Sequence, residues 1–409
     1  MTDKIEPAFP LATSSWDEAE YAALQDVIAS GRFTMGPLVA QFEREFAAFF
    51  GARFGVMVNS GSSANLIAIA AAVLDPRIDL NAGDEVLVPA VSWATTYYPL
   101  TQYGLTLKFV DIDVDTLNMD LDLVEESIGP KTKAIFAVNL LGNPNDFSRL
   151  RDLAQRYDLV LLEDNCESLG AKDAGMFAGT AGLMGTFSAF FSHHISTMEG
   201  GLILTDDEQL YQEMVSLRSH GWTRELPDDN HVHAKSGELF DDMFRFVLPG
   251  YNVRPLEMSG ALGLGQLKKI PALIAGRRAN ARYFQEKFSD LNTVRVQKET
   301  GESSWFGFSL VLEGALAGRR ADVVRALSAA RIECRPIVAG NFTRNPVMSH
   351  LNSIVPAALP AADKIHADGL FVGNHHFPIE DAIDLLHATL ANLSGSFPDD
   401  GAAEPKPGK

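Results

Sequence analysis

The chain has 409 residues, 46% of them apolar, and a formal net charge of −19. That length exceeds one small core, so two domains are expected, and the acidic balance argues against nucleic acid or an anionic membrane as partner while leaving room for a local cationic pocket. Cys166 and Cys334 are the only cysteines, too few for a disulfide scaffold or for a four-cysteine zinc or iron–sulfur site held by this chain alone.

Thr13 to Gly31 reads as an N-terminal helix, with Ser15 and Glu18 as a capping box and Gly31 as its stop. A second amphipathic helix is expected over Leu38 to Phe50. Phe54 to Asn59 then leads into the turn Ser60-Gly61-Ser62-Ser63-Ala64-Asn65 and an apolar helix from Leu66 to Leu74. Short apolar runs follow at Glu85 to Val88, Leu107 to Asp111, Ala134 to Val138 and Leu159 to Glu163. Helix-length segments separate them, among them Leu121 to Ile128 and Phe147 to Tyr157. This βαβ rhythm implies an α/β fold with a mostly parallel sheet covered on both faces, whose ligands gather at the carboxyl ends of strands. Residues 222 to 248 read as a long polar loop and Gly250 to Leu267 as a helix. A smaller α/β unit is expected from 275 to 393, with a strand near Phe306 to Leu312, a helix near Ala321 to Ala330 and an extended Ile332 to Ile337. Residues 1–274 make the large unit, and 394–409, rich in Pro, Gly and charge, read as a disordered tail. Met1 to Pro10 has no basic-then-apolar signal pattern and no apolar run reaches membrane-span length, so a cytoplasmic protein is expected.

Four stretches carry chemistry. The small-residue turn at Ser60 to Ser63 precedes a helix, so its N–H groups can hold a phosphate or simply cap the helix. Trp93 follows a strand and is either a stacking surface for a planar cofactor or a core residue. Glu163-Asp164-Asn165-Cys166-Glu167 follows another strand, so Asp164 either pairs with a protonated ring nitrogen or caps a helix. Phe187-Ser188-Ala189-Phe190-Phe191-Ser192-His193-His194 places two histidines where an aromatic strand turns, before Glu199-Gly200-Gly201. Rigid elements aim catalytic groups at such places, and a solvated histidine pair is the alternative.

Taken in this order, Ser60-Gly61-Ser62, Glu163-Asp164, Phe187-Ser188, Glu199-Gly200-Gly201 and Gly250-Tyr251-Asn252-Val253-Arg254 resemble the pyridoxal-phosphate sugar aminotransferases that act on nucleotide-linked 4-keto sugars. The resemblance runs from about Phe9 to Ile383 and implies the aspartate aminotransferase fold (fold type I). In those enzymes a lysine that forms the Schiff base stands where this chain has His193. That exchange resembles the sugar 3-dehydratase subgroup. Ser192-His193-His194-Ile195, His220-Gly221-Trp222-Thr223-Arg224, Gly301 to Phe308 and Glu333-Cys334-Arg335-Pro336-Ile337 resemble its branch that acts on GDP-4-keto-6-deoxy-D-mannose. Another branch needs an iron–sulfur cluster on clustered cysteines, which this chain lacks.

The resemblance implies non-covalent pyridoxal and pyridoxamine phosphate, L-glutamate as amino donor, and loss of the sugar 3-hydroxyl with release of 2-oxoglutarate and ammonia. It implies His193 as base, since an imidazole has an ordinary pKa of about 6.5 and no amine for a covalent link. It also implies Asp164 on the pyridine nitrogen, Trp93 on the ring face and Glu167 on the ring hydroxyl. Ser62, Ser63 and Ser188 are expected on the phosphate, with Asn252 reaching it from the other subunit of a homodimer. His220, Arg224 and Arg335 are expected to bind the GDP-linked substrate, and His194 to be structural. A 4-aminotransferase working without its lysine and a non-catalytic cofactor-binding paralogue are the competing readings.

Overall fold

A computed structural model describes residues 6–397 of the chain. The first helices are α1 (Glu18–Ser30) and α2 (Pro37–Phe50). The capping box of α1 is Asp17 with Glu20, two residues later than the expected Ser15 with Glu18. Ser15 is occupied elsewhere, its hydroxyl donating to Gln266 Oε1 at 2.6 Å. In α2, Pro37 sits in the first turn, where its missing N–H costs no hydrogen bond.

The large sheet is built from β1 (Phe54–Val58), β2 (Glu85–Pro89), β3 (Thr106–Val110), β4 (Thr132–Val138) and β5 (Val160–Asp164). A two-residue hairpin, β6 (Lys172–Asp173) and β7 (Met176–Phe177), stands apart, and β8 (Met184–Ser188) and β9 (Gly201–Thr205) complete the sheet's first part. Helices α3 (Gly61–Leu74), α4 (Ala94–Gln102), α5 (Leu121–Ser127), α6 (Phe147–Arg156) and α7 (Glu208–Leu217) alternate with the strands. The order β1-β9-β8-β5-β4-β2-β3 is parallel from β8 to β3, and β9 runs antiparallel to both its neighbours.

Both faces of this sheet are buried, and the side-chain period of two shows it. Val86 and Val88 join one apolar cluster while Leu87 between them joins another. Val56 and Val58 likewise face the first cluster, whereas Met57 packs with Phe42, Phe46 and Phe50 of α2. Phe187 of β8 is fully buried in that last cluster, its ring centroid 5.3 Å from those of both Phe46 and Phe50.

The loop expected over 222–248 contains one short helix, α8 (Leu239–Asp242). The helix expected over Gly250 to Leu267 is α9 (Glu257–Lys287), 31 residues that continue through Pro271 and past residue 275 into the second unit. There β10 (Val294–Val296), β11 (Gly307–Leu312), β12 (Cys334–Arg335) and β14 (Gly369–Gly373) form an antiparallel sheet with α10 (Arg320–Ala329) and α12 (Glu380–Ser394). Phe284 of α9 stacks on Phe308 of β11 at 4.1 Å and 6°.

Two segments cross between the units. Phe9 is fully buried in the second cluster and bridges to Ile332, although it lies in the N-terminal segment expected with the large unit. In return β13 (Ser353–Ile354), followed by α11 (Pro360–Asp368), adds a parallel edge to β3 of the large sheet. Ser394 closes α12, and residues 398–409 of the expected tail lie outside the described residues. Among the described residues no helix is long and apolar enough to cross a membrane.

Phe187→Ala is expected to destabilise the large unit by about 3–5 kcal/mol, since it removes a fully enclosed ring between α2 and β8. Urea unfolding followed by near-UV circular dichroism checks this, and an unchanged midpoint would remove that ring from the contacts holding α2 in place.

Candidate active site

The carboxyl ends of β2, β5 and β8 and the N-terminus of α3 meet at a cavity of about 660 Å³. Its far wall comes from the second unit through Phe306, Arg335 and Asn374, and Leu11 and Ala12 of the N-terminal segment also line it. Glu333, another lining residue, holds that segment in place by accepting a hydrogen bond from the Leu11 N–H at 2.8 Å.

Asp164 ends β5. Strand alternation puts it on the face of Leu162, toward α3, and turns Glu163 to the opposite face. Asp164 Oδ2 accepts from Asn65 Nδ2 of α3 and from the Thr96 hydroxyl of α4, both at 2.8 Å. Its Oδ1 accepts from the Cys166 N–H at 3.1 Å. Asn65 is oriented by Thr186 of β8, which donates to Asn65 Oδ1 at 2.6 Å. Glu163 is fully buried, and burial raises its carboxyl above the usual range. It accepts from the N–H groups of Gly179, Ala181 and Gly182 and from Asn139, so it holds a loop and does not reach the cavity.

His193 follows the end of β8. Its Nδ1 lies 2.8 Å from the Cys166 carbonyl oxygen, which can only accept, so Nδ1 carries the proton and Nε2 keeps a free lone pair. The ring meets Phe306 and Phe190 edge to face at 5.1 and 6.0 Å. Burial among these groups pulls the imidazole down to about 4, outweighing the upward pull of the Cys166 carbonyl and of Asp164. The ring is therefore neutral across the physiological range. His194 beside it is buried, with Nε2 on the Ser304 carbonyl at 3.1 Å.

Glu167 accepts the Leu141 N–H at 3.1 Å. Leu141 holds φ at +53°, a backbone region uncommon for leucine, and so directs its amide at that carboxylate. Burial pushes the Glu167 carboxyl up to about 7, aided by the charge of Asp164.

At the start of α3 the Ser60 hydroxyl caps the helix by accepting the Ser63 N–H at 3.1 Å. The helix thus begins at Gly61, five residues before the expected Leu66. The Ser63 hydroxyl donates to Asn59 Oδ1 at 2.6 Å and the Ser62 hydroxyl pairs with Thr95 at 2.8 Å. Ser63 was expected on a phosphate, yet it does not line the cavity and its N–H is occupied by the cap. Gly61 and Ser62, whose N–H groups fall in the first turn, line the cavity in its place. A Cβ on Gly61 would lie 2.7 Å from Ser188 Cβ and 2.9 Å from Cys166 Sγ, so only glycine lets this helix end approach β8 so closely.

Ser62, Trp93, Asp164, Glu167, Ser188, His193 and Arg335 thus share one cavity. Trp93 is 59% exposed there, which removes the core reading. His220 and Arg224, expected on the substrate, do not line it. The chain doubles back after α7, the His220 N–H donating to the Tyr251 carbonyl at 2.6 Å, and both side chains gather instead around Trp222, at 5.1 and 5.6 Å. Asn252 is exposed outside the cavity and accepts from Arg254 Nε at 3.1 Å. Residues that sequence reasoning missed include Asn65 and Thr96, which carry Asp164, and Arg277 on α9. A helix-internal Asn, Thr or Arg has no local signature of its partner, which is distant in sequence.

Residues 14–386 match the DegT/DnrJ/EryC1/StrS aminotransferase family. A GDP-4-keto-6-deoxy-D-mannose 3-dehydratase of Yersinia pseudotuberculosis is 54% identical over 95% of this chain and 99% of its own length. The Escherichia coli GDP-4-keto-6-deoxy-D-mannose-3-dehydratase with bound hydrated PLP superposes with a TM-score of 0.92 at 53% identity, over 94% of this chain and 100% of that one. A structure of GDP-4-keto-6-deoxymannose-3-dehydratase with a trapped PLP-glutamate geminal diamine gives a TM-score of 0.91 at 53% identity, over 93% and 100%. With the family match spanning nearly all of the described residues and the fold agreeing throughout, the chain belongs to the DegT/DnrJ/EryC1/StrS aminotransferase family.

Proposed function

We propose that this chain removes the 3-hydroxyl of GDP-4-keto-6-deoxy-D-mannose, using pyridoxal and pyridoxamine phosphate with L-glutamate as amino donor. The observation that carries the reading is His193: a neutral imidazole, its Nδ1 anchored on Cys166 and its Nε2 free, at the end of β8 in a cavity that offers no lysine. The high similarity to 3-dehydratases supports the same reaction.

The cavity suits a phosphorylated pyridine. Gly61 lets the start of α3 close on Ser188, the first-turn N–H groups of Gly61 and Ser62 border the cavity, and Asp164 stands with its carboxylate held by Asn65 and Thr96. When bound, the cofactor supplies an electron sink and an amine that glutamate renews. Asp164 keeps the ring nitrogen protonated, because an opposite charge held close favours the charged form. Trp93 covers the ring face, and Glu167 holds the ring hydroxyl with a carboxyl that shares a proton readily near neutral pH. Ser62 and Ser188 hold the phosphate. His193 takes a proton at Nε2 and, having no amine, offers no covalent link to the cofactor, and the donated nitrogen leaves as ammonia. Arg335, exposed at the cavity wall, meets the diphosphate of the nucleotide. Exposed Asn252, close in sequence to exposed Phe244 and Phe246, supports a homodimer in which it reaches the phosphate of the other protomer.

Purified protein incubated with pyridoxal phosphate, L-glutamate and GDP-4-keto-6-deoxymannose is expected to yield a sugar lighter by one oxygen, with ammonia and 2-oxoglutarate, as read by mass spectrometry and coupled assays. A 4-amino sugar without ammonia would establish transamination instead. His193→Lys is expected to form a covalent cofactor adduct visible in the absorbance spectrum and to lose deoxygenation. Deoxygenation retained by that variant would remove His193 from the base role. The pH profile gives a third check. A base must be neutral to act, and burial lowers His193 to about 4, so its acid limb should lie well below the ordinary histidine value and fall as pH drops toward 4. A limb near 6.5 assigned to His193 by its loss in His193→Asn would contradict this.

A further inference from the structure

Arg277 sits on α9 with its guanidinium at the cavity wall, 7% exposed. Its Nη1 donates to two carbonyl oxygens, Phe306 at 2.9 Å and Asn374 at 2.8 Å. Asn374 also fixes the backbone beneath, its Nδ2 donating to the Arg277 carbonyl at 3.1 Å. Nε is enclosed and has no hydrogen-bond partner. Nη2 has no protein partner among the described residues and is not among the enclosed atoms, so it faces the cavity.

Among the described residues no carboxylate offsets this charge. Burial pulls the guanidinium down to about 10, and no neighbouring acid opposes that pull. The groups that do feel it are cations or neutral rings: His193, His194, His375 and His376 are all lowered by it. A buried charge persists when it is paired. In a chain of net charge −19 this one has no counterion among the described residues, and it lines the same cavity as His193.

We propose that Arg277 is the carboxylate-binding residue for the amino donor, its Nη2 donating to one carboxylate of L-glutamate in the cavity that His193 lines. A carboxylate fits because the open Nη2 presents charged N–H donors to a singly charged, two-oxygen acceptor. The nucleotide diphosphate fits less well. It carries more charge and hangs from a bulky nucleoside, and exposed Arg335 suits it better than an enclosed arginine. The sugar has no anionic group near its reacting carbon, so Arg277 acts in the glutamate half of the cycle.

This inference rests on the proposed use of glutamate, and the test separates the two. Glutarate, an unreactive dicarboxylate, is titrated calorimetrically into the cofactor-loaded wild type, Arg277→Gln and Arg277→Lys. GDP is titrated in parallel, and cofactor amination by L-glutamate is followed by absorbance. Arg277→Gln is expected to weaken glutarate by about 10- to 100-fold, the worth of a charged hydrogen bond. The KM for glutamate should rise by a similar factor with a smaller change in kcat. Arg277→Lys cannot hold both carbonyls and reach the carboxylate, so it should weaken glutarate by about tenfold, and it decides the matter if Arg277→Gln does not fold. Glutarate affinity unchanged in the folded variant, or a loss confined to GDP, overturns the proposal while leaving the glutamate reaction in place. A wild type that neither binds glutarate nor aminates its cofactor overturns the glutamate reading itself.

Discussion

The carboxylate of Asp164 is the joint on which the site depends. Three hydrogen bonds converge on it, from α3 through Asn65, from α4 through Thr96 and from the Cys166 amide of the following turn. Each donor fixes another part of the cavity. Asn65 belongs to the helix whose first turn borders the cavity, Thr96 lies three residues after Trp93, and Cys166 offers its carbonyl to His193. Fixing this carboxylate therefore sets the first turn of α3, the Trp93 ring and the His193 imidazole relative to each other. An ionised group at a strand end needs such a shell, since an unsatisfied buried charge costs several kcal/mol.

Burial then sets the protonation states. It raises Glu167 to about 7 and lowers His193 to about 4, moving an acid up and a base down toward their neutral forms. The cavity thus holds a neutral imidazole together with a carboxyl that exchanges its proton near neutral pH, although the molecule as a whole is strongly acidic. Arg277 stays cationic at any working pH because its ordinary value is so high. It is the positive group of this enclosed corner, while Arg335 stands at the more open wall.

The two units are joined by more than a hinge. Helix α9 passes from one to the other without a break, Phe9 inserts into the second core and β13 returns to the first sheet. These crossings place Phe306, Asn374 and Arg335 opposite the strand ends of the large sheet. The aromatic walls that desolvate His193 are therefore contributions of both units, and the geometry of the base depends on their docking.

Sequence alone determined the α/β class, because short apolar runs alternating with helical segments are a local pattern. It also pointed to strand ends that the structure brings to one cavity. Trp93, Asp164 and His193 were legible since each lies within a few residues of a strand end, and Glu167 and Ser188 through the family resemblance. The start of α3 at Gly61 was not, because the Ser60 cap reads as a loop until its hydroxyl is seen on the Ser63 amide. The placement of His220 and Arg224 away from the cavity was decided by how the loop after α7 folds back on Tyr251 and Trp222. Tertiary structure alone decided the rest: that Asn65 and Thr96 hold Asp164, that Glu163 faces away, and that Arg277 stands unpaired beside His193. These are contacts between residues far apart in the chain, and their energies depend on burial, which no local pattern of residues encodes.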